Sequence, residues 1–583
     1  MASRRSPGGN PFACAQAVGG VASPIAWQPW SAATFERAAR QGKPLYVNVA
    51  AGWCHWCHAM DAETLADPDV VRLLQEKFVA IRVDADARPD LAERYQDWGW
   101  PANAFLTPDA QPVLELKGYQ ELEEFRPLLE KLAKEAKAGK LKGRQPAAAP
   151  KRAVGSLETL RLRVQERLDG FFDEGAAGWG SFQKYPFPGP VEQSFLRARL
   201  RGDAAAFERA VRTLRGALNL IDPVWGGMFQ YSVNGGWTEP HYEKIAAVQA
   251  GALESFTQGW QWTDDPVWAA AAGKVRDYTL EFLLRPDGAF GTSQDADGPD
   301  LAGGPYHALG DAGRRKHGLP RTDLSAYADW NGLLAHALVR HGEATGDSRS
   351  LAAAENAVRA VLASHGQGDA VRHGAGADSI LHLRDNAAMG RALLALHEAT
   401  GDEEWLRRAE RIGRFLLRNL HSPEGGFLAH TPDPAAVGVF AQPRRPLEEN
   451  GLAIRFLVDL AHTTPDETLA KRARAAAEEA ARALAAPELV GPEAQIIGQF
   501  LLGLEWLTLE PVKLVVAGDR STAAALHAAA LRSPTPGRLV RWARPEDGYP
   551  ARVAIYVCKG NACSPPVTKA DALPAAVARL LGT

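Results

Sequence analysis

At 583 residues the chain exceeds what one hydrophobic core holds, so several domains are expected. Its 46% hydrophobic content is that of a soluble globular protein, and a net charge of −3 without a long basic run leaves no footprint for nucleic acid or an anionic membrane. No apolar span reaches membrane length, no apolar stretch follows the basic start at Arg4 and Arg5, and five cysteines are too few for a disulfide scaffold; the expected compartment is cytoplasmic, where paired cysteines are more often redox-active or metal-binding than structural.

Residues 1–25 lack periodicity and read as a flexible arm carrying a lone Cys14. Ser31 to Gln41 reads as a helix capped by Ser31, and Leu45 to Ala50 as a buried strand. Directly after it comes Gly52-Trp53-Cys54-His55-Trp56-Cys57-His58-Ala59-Met60, within which a helix begins. A strand at 78–84, a helix at 89–97, a strand after Trp100-Pro101 at 104–106, a hairpin strand at 112–117 and a helix at 122–137 follow. This order predicts an α/β thioredoxin-like domain over 26–138, and a CxxC pair in such a pattern is a redox signal.

The spacing suits thiol chemistry. Cys54 at a helix N-terminus has its thiolate favoured by unpaired N–H groups and the helix dipole. Cys57, one turn on, can resolve a mixed disulfide, and His55 between them can stabilise the thiolate by charge. Pro101 falls where such folds place a cis-proline beside the pair. Two alternatives stand beside this reading. One is a four-cysteine zinc site with Cys558 and Cys563, whose separation of about five hundred residues is far from ordinary zinc spacing; no metal or cofactor is assigned. The other is a thioredoxin fold whose cysteines do no catalysis.

Residues 139–154 are rich in Lys, Gly, Ala and Pro and read as a linker. From 155 to 510 the pattern is helical and repeats: Glu343-Ala344-Thr345-Gly346-Asp347 recurs as Glu398-Ala399-Thr400-Gly401-Asp402. Charged helices begin near 156, 203, 265, 347, 402 and 466, several behind an Asp N-cap, and alternate with apolar helices at about 190–200, 242–262, 325–344, 382–399, 447–463 and 492–509. Six helical hairpins closed as an all-α (α/α)6 toroid are expected. The Gly-Asp turns are short, whereas the opposite connections are long and rich in Gly, aromatic and polar residues, so a candidate site is expected at that mouth. Its pocket candidates are Lys184, Tyr185, Trp237, His241, Glu243, Asp295, Asp297 and Asn331. Paired carboxyl groups among Glu243, Asp295, Asp297 and Asp329 would suit glycoside chemistry, and His241 sugar epimerisation; the bland alternative is that these loops only turn the chain and plug the barrel. Residues 511–583 form a small α/β segment in which Cys558 and Cys563 are either ordinary cysteines beside a turn or a second dithiol exchanging with the first.

The Cys54–Met60 stretch closely resembles the signature of the spermatogenesis-associated protein 20 family and its bacterial relatives, thioredoxin-domain proteins fused to a helical toroid. The flanks Trp27-Gln28-Pro29-Trp30, Arg88-Pro89-Asp90 and Phe105-Leu106-Thr107-Pro108-Asp109 resemble it too, as do Lys184-Tyr185-Pro186, Pro240 to Lys244, Gln294 to Asp297, Trp330-Asn331-Gly332 and the C-terminal Cys-x4-Cys. The chain departs from the family at Gly52-Trp53, in the compressed Asp97 to Pro101 segment and in the short run from Gly303 to Asp323. The resemblance implies a multidomain protein whose toroid is similar to those of six-hairpin glycosidases and N-acylglucosamine 2-epimerases, and it implies positions without roles. Three functions follow as expectations. The first is a thiol–disulfide oxidoreductase, with Cys54 nucleophile, Cys57 resolver, His55 tuner and Pro101 backbone contact, whose toroid binds a protein thiol or disulfide client or a small molecule. The second is a carbohydrate-active toroid with the thioredoxin fold as an appendage. The third is a non-enzymatic binding protein.

Overall fold

Strand β1 (Leu45–Ala50) is buried along its whole length and forms the spine of the N-terminal domain. In this computed structural model, which describes residues 23–95, 99–144, 154–376, 380–485, 494–544, 547–550 and 552–582, β1 pairs in parallel with β2 (Val79–Asp84) and antiparallel with β3 (Ala102–Leu106), which pairs antiparallel with β4 (Pro112–Lys117). The sheet order is β2-β1-β3-β4. Helix α1 (Ala32–Gln41) starts at Ser31, whose side chain accepts the Thr34 N–H. Helix α2 (His55–Ala62) follows β1, α4 (Pro89–Tyr95) follows β2 and α5 (Leu122–Lys137) follows β4. One element of this domain was not expected: after α2 a new helix, α3 (Pro68–Lys77), starts behind Asp67, whose carboxylate accepts the N–H groups of Asp69 and Val70. Cys14, Asp97, Trp98 and the proline-flanked centre of the linker lie outside the described residues.

The toroid alternates outer and inner helices. The outer ones are α6 (Leu157–Asp169), α8 (Ala204–Ala217), α10 (Pro266–Tyr278), α12 (Ser348–His365), α14 (Glu403–Phe415) and α16 (Glu467–Leu484). The inner ones are α7 (Pro188–Arg201), α9 (Ala246–Thr263), α11 (Ala328–Thr345), α13 (Leu383–Thr400), α15 (Leu447–Thr463) and α17 (Ala494–Thr508). Each inner helix packs on the next, and α17 packs back on α7, so the ring closes. Helix α6, from the start of the region, is the outer partner of α17, from its end. Ser156, Asp203, Asp265, Asp347, Asp402 and Asp466 each cap an outer helix by accepting a backbone N–H, as the repeated turns predict. Among the described residues no helix is long and apolar enough to cross a membrane.

The C-terminal segment is a second sheet of the same plan. Strand β5 (Val512–Ala517) pairs in parallel with β6 (Arg538–Trp542) and antiparallel with β7 (Ala554–Lys559), which pairs with β8 (Ala562–Cys563). With α18 (Ala524–Arg532) and α19 (Leu573–Leu581) it repeats the order and strand directions of the N-terminal sheet. No cysteine pair follows β5; Gly518-Asp519-Arg520-Ser521 stands there instead.

The two sheets cover opposite ends of the ring. The N-terminal domain meets the loops at the inner helices' N-termini: Phe440 packs edge-on to Trp30 at 4.5 Å, and Gly438, at φ +55°, lies where a Cβ would overlap the carbonyl oxygens of Asp109 and Ala110. The C-terminal sheet sits on the Gly-Asp turns. Arg538 donates to Glu343 at 2.7 Å, and Glu398 accepts the Val540 N–H at 3.3 Å. The glutamates of the repeated Glu-Ala-Thr-Gly-Asp turn are thus docking points as well as turn residues.

Candidate functional site

Cys54 is the N-cap of α2, and its sulfur accepts the Cys57 N–H at 3.1 Å. This is the local consequence of ending a buried strand at Ala50 and starting a helix five residues later: the Cys57 N–H in the helix's first turn is aimed at the Cys54 sulfur. The two sulfurs are bonded to each other, and both cysteines are buried. Trp53 anchors the turn through its indole N–H, which donates to Asp86 at 2.8 Å. The Trp100–Pro101 bond is cis, as expected from the sequence, and Trp100 lines the same cavity as Cys54.

That cavity, of about 710 Å³, is shared between the N-terminal domain and the toroid. Trp53, Cys54, Trp56 and Trp100 form one wall, and Phe171, Trp179, Tyr185, Phe187 and Tyr231 the other, with Glu243 between. The toroid also reaches α2 directly. Glu243 Oε1 accepts the His55 N–H at 3.3 Å, and His55 Nδ1 lies 3.1 Å from Asp297 Oδ2. Asp295 approaches His58 Nε2 at 3.9 Å, and Arg321 donates to the Gly52 carbonyl.

These contacts set the local charges. The hydrogen bond and charge of Asp297 raise the His55 pKa, so the imidazolium is favoured beside Cys54 with its counter-charge already in place. Burial pushes Asp297 up, but His55 holds it below the usual carboxylate range. Burial raises Glu243 to about 7 and lowers His241 to about 4, where the positive charge of His55 adds to the effect. His241 stacks on Tyr231 with centroids 4.2 Å apart.

Of the expected pocket residues, Tyr185 and Glu243 line the cavity, His241 flanks it behind Tyr231, and Asp295 and Asp297 are engaged by the cysteine helix. Three belong elsewhere. Lys184 is fully buried and braces its own loop through Asp173 and the Gly180 carbonyl, both at 2.6 Å. Trp237 donates to the carbonyls of Ala176 and Ala177. Asn331 bonds the N–H and C=O of Phe290 at 2.7 and 3.1 Å. Asn331 belongs to a series, because Gln249 holds Met228, Asn386 holds Val371 and Asn450 holds Phe427 in the same way. Each such amide, in the first turn of an inner helix, ties down the incoming glycine-rich or hairpin loop.

Asp329, a candidate for sugar chemistry, lies in a buried latch instead. His373 Nδ1 is 2.9 Å from Asp385 and 3.8 Å from Asp329, while Nε2 bonds the Asp86 carbonyl of the N-terminal domain at 2.6 Å. Burial opposes its charge, yet Asp385, Asp329 and that carbonyl together raise His373 to about 10. Among the described residues, two clusters have ligand atoms close enough to share a cation: this one and His58, Asp295 and Asp297.

The second dithiol does not meet the first. Cys558 and Cys563 are bonded to each other across β7 and β8. They sit in the sheet at the far end of the ring, and an 18-residue inner helix such as α9 spans about 27 Å between the two ends. Exchange between the pairs inside one chain is therefore precluded in this arrangement.

Sequence reasoning missed the lumen below the mouth. A cavity of about 230 Å³ is lined by Glu192, Glu254, Arg384, Arg391, Glu449 and Arg455 among others, and Arg455 makes a bidentate pair with Glu192 at 2.9 and 2.6 Å. The available signal was a charge interrupting an apolar helix, as at Glu254, Arg391 and Arg455.

Fold and site define a class of protein: a thioredoxin-like domain bearing a CxxC helix, seated on the mouth of a helical toroid. Residues 18–141 match the family model described as Thioredox_DsbH, protein of unknown function, DUF255. The chain is similar to spermatogenesis-associated protein 20 of Homo sapiens, at 29% identity over 316 residues, covering 48% of this chain and 40% of the human protein. The similarity thus spans less than half of that relative's length. Among solved structures, a sugar epimerase from a ruminal bacterium is similar with TM-score 0.48 and 11% identity, covering 60% of this chain and 98% of that one. A D-mannose isomerase is similar with TM-score 0.48 and 12% identity, covering 63% and 99%.

Proposed function

We propose that the chain is a thiol–disulfide oxidoreductase whose client enters the cavity between its two domains. Cys54 is the nucleophile, Cys57 the resolver, and His55 supplies positive charge beside the Cys54 sulfur. The observation that carries this reading is that the helix-capping Cys54 opens onto an aromatic-walled cavity of about 710 Å³ instead of open solvent. Aromatic faces suit the apolar stem of a thiol and its disulfide. A recessed sulfur favours a small-molecule or extended peptide disulfide over one on a convex folded surface. The test is reduction of a small disulfide by pre-reduced full-length protein. Wild type should reduce it and Cys54→Ser should not; equal rates would refute the reading.

A second reading has its own observation. Burial raises the pKa of Glu254 and Glu449 in the lumen, where Arg384, Arg391 and Arg455 line the same cavity and Tyr185 and Phe187 stand above them. Such a surface suits a polyhydroxyl ligand. Thermal-shift measurements with a panel of mono- and disaccharides on wild type and Glu254→Gln decide it: a shift lost in the variant supports binding, and no shift with any sugar rejects it.

A further inference from the structure

Carboxyl groups near the cysteine helix are mostly committed. In the N-terminal domain Asp61 pairs with Arg82 at 2.7 and 2.8 Å, and Asp86 accepts the Trp53 indole. The polar cluster in the sheet is neutral: Asn48 and Tyr46 both donate to Asn103 Oδ1. Three carboxylates line the cavity with Cys54. Glu121 is exposed, and Glu448 faces Arg384 at 3.5 Å and accepts from Gln495. Glu243 differs from both. It is only 3% exposed; its Oε1 takes the His55 N–H, and its Oε2 has no hydrogen-bond partner among the described residues.

We propose that Glu243, a residue of the toroid, is the general acid of the Cys54–Cys57 site and protonates the sulfur that leaves a client disulfide. This rests on the oxidoreductase reading above. The Cys54 thiolate donates its electron pair to one client sulfur, and the client S–S bond breaks. The departing sulfur keeps that bond's electrons and takes the proton of the Glu243 carboxyl, leaving Glu243 as carboxylate and Cys54 in a mixed disulfide. Cys57, as thiolate, then attacks the Cys54 sulfur and expels the second client thiolate. The second client thiolate and the Glu243 carboxylate each take a proton from solvent, so the client disulfide ends as two thiols and the cysteine pair as a disulfide.

The surroundings fit an acid working near neutral pH. Burial holds the Glu243 proton, with Asp295 acting in the same direction; His55 on α2 opposes them, and His241 lies 3.9 Å from Oε2, beside Tyr231. The resulting pKa of about 7 matches the operating pH, where general acids are most effective.

A general acid matters only for a sulfur that leaves poorly, so the test compares two disulfides. Full-length protein, pre-reduced with dithiothreitol and desalted, is reacted with bis(hydroxyethyl) disulfide, whose thiol is an ordinary alkyl one, and with dithiobis(nitrobenzoate), whose aromatic thiolate leaves unaided. Glu243→Gln keeps an acceptor for the His55 N–H but lacks the acid. It should reduce the alkyl disulfide about a hundredfold more slowly and the aromatic one within about threefold of wild type. Equal losses on both substrates, or none on either, overturn the inference and leave the oxidoreductase reading standing. A wild type that reduces neither disulfide removes both. Wild type alone gives an independent check: its alkyl-to-aromatic rate ratio should fall as pH rises through about 7, and a flat ratio overturns the inference even if the variant does not fold.

Discussion

Around Cys54 the charges alternate in a chain from the N-terminal domain into the toroid. His55 faces Asp297, His58 faces Asp295, and Glu243 holds the first N–H of the helix. His55⁺ lowers the energy of a Cys54 thiolate, while Asp297 offsets part of that charge. Replacing His55 by Ala should therefore raise the Cys54 thiol pKa by up to about one unit, or 1.4 kcal/mol, read from the pH dependence of its alkylation. A lowered pKa would contradict this. Cys54, Cys57, His55 and the cis bond at Pro101 were legible in the sequence because their chemistry is local, set by spacing within one turn or one X-Pro step. The contact of Glu243 with His55 was not, since the two residues lie 188 positions apart. Lys184 and Asn331 were misjudged because a polar residue in a loop motif looks the same whether it faces a ligand or its own backbone.

Among the elements, the outer helices were readable from their Asp caps and the inner ones from their apolar faces. The α2–α3 break was not, because Asp67-Pro68 starts a helix inside what reads as one helical run. Strand β6 was missed because its alternation is partly covered: Arg538 and Arg541 carry charge, while only Val540 is fully buried. The amide brackets make a testable unit. Removing the Asn386 amide strands the buried N–H and C=O of Val371, which it bonds at 2.9 and 3.1 Å, and costs about 1–3 kcal/mol. Asn386→Ala should lower the urea midpoint by a corresponding amount; an unchanged midpoint would show that the loop holds without the bracket. Glu505 plays the matching part at the seam of the ring. On α17 it accepts from Arg161 of α6 and from Gln193 and Arg201 of α7. Glu505→Gln removes the carboxylate that Arg161 and Arg201 share; Arg161 keeps its pair with Glu158 at 2.9 and 2.6 Å, so the loss should be about 1–3 kcal/mol by the same measurement.

For the molecule as a whole, six-fold closure could be counted from the repeated turns, but the placement of the two sheets on opposite ends could not. That placement depends on contacts such as His373 to Asp86 and Arg538 to Glu343, which no local pattern signals. The His373 latch carries a pH dependence. Its folded pKa of about 10 lies above the unfolded value of about 6.5, so its stabilisation is complete below pH ~6.5 and is lost as pH rises through about 10. The stability difference between wild type and His373→Gln should accordingly shrink over that window, and a difference constant from pH 6 to 10 would contradict the latch. The central claim, a redox pair opening into a cavity that both domains build, is tested most directly by trapping. Cys57→Ser removes the resolver, so a small alkyl disulfide should leave one half of itself as a stable adduct on Cys54, found by mass spectrometry of the intact chain and its peptides. A single adduct at Cys54, absent from the Cys54→Ser, Cys57→Ser double variant, is the predicted result; no adduct at Cys54 would contradict the account.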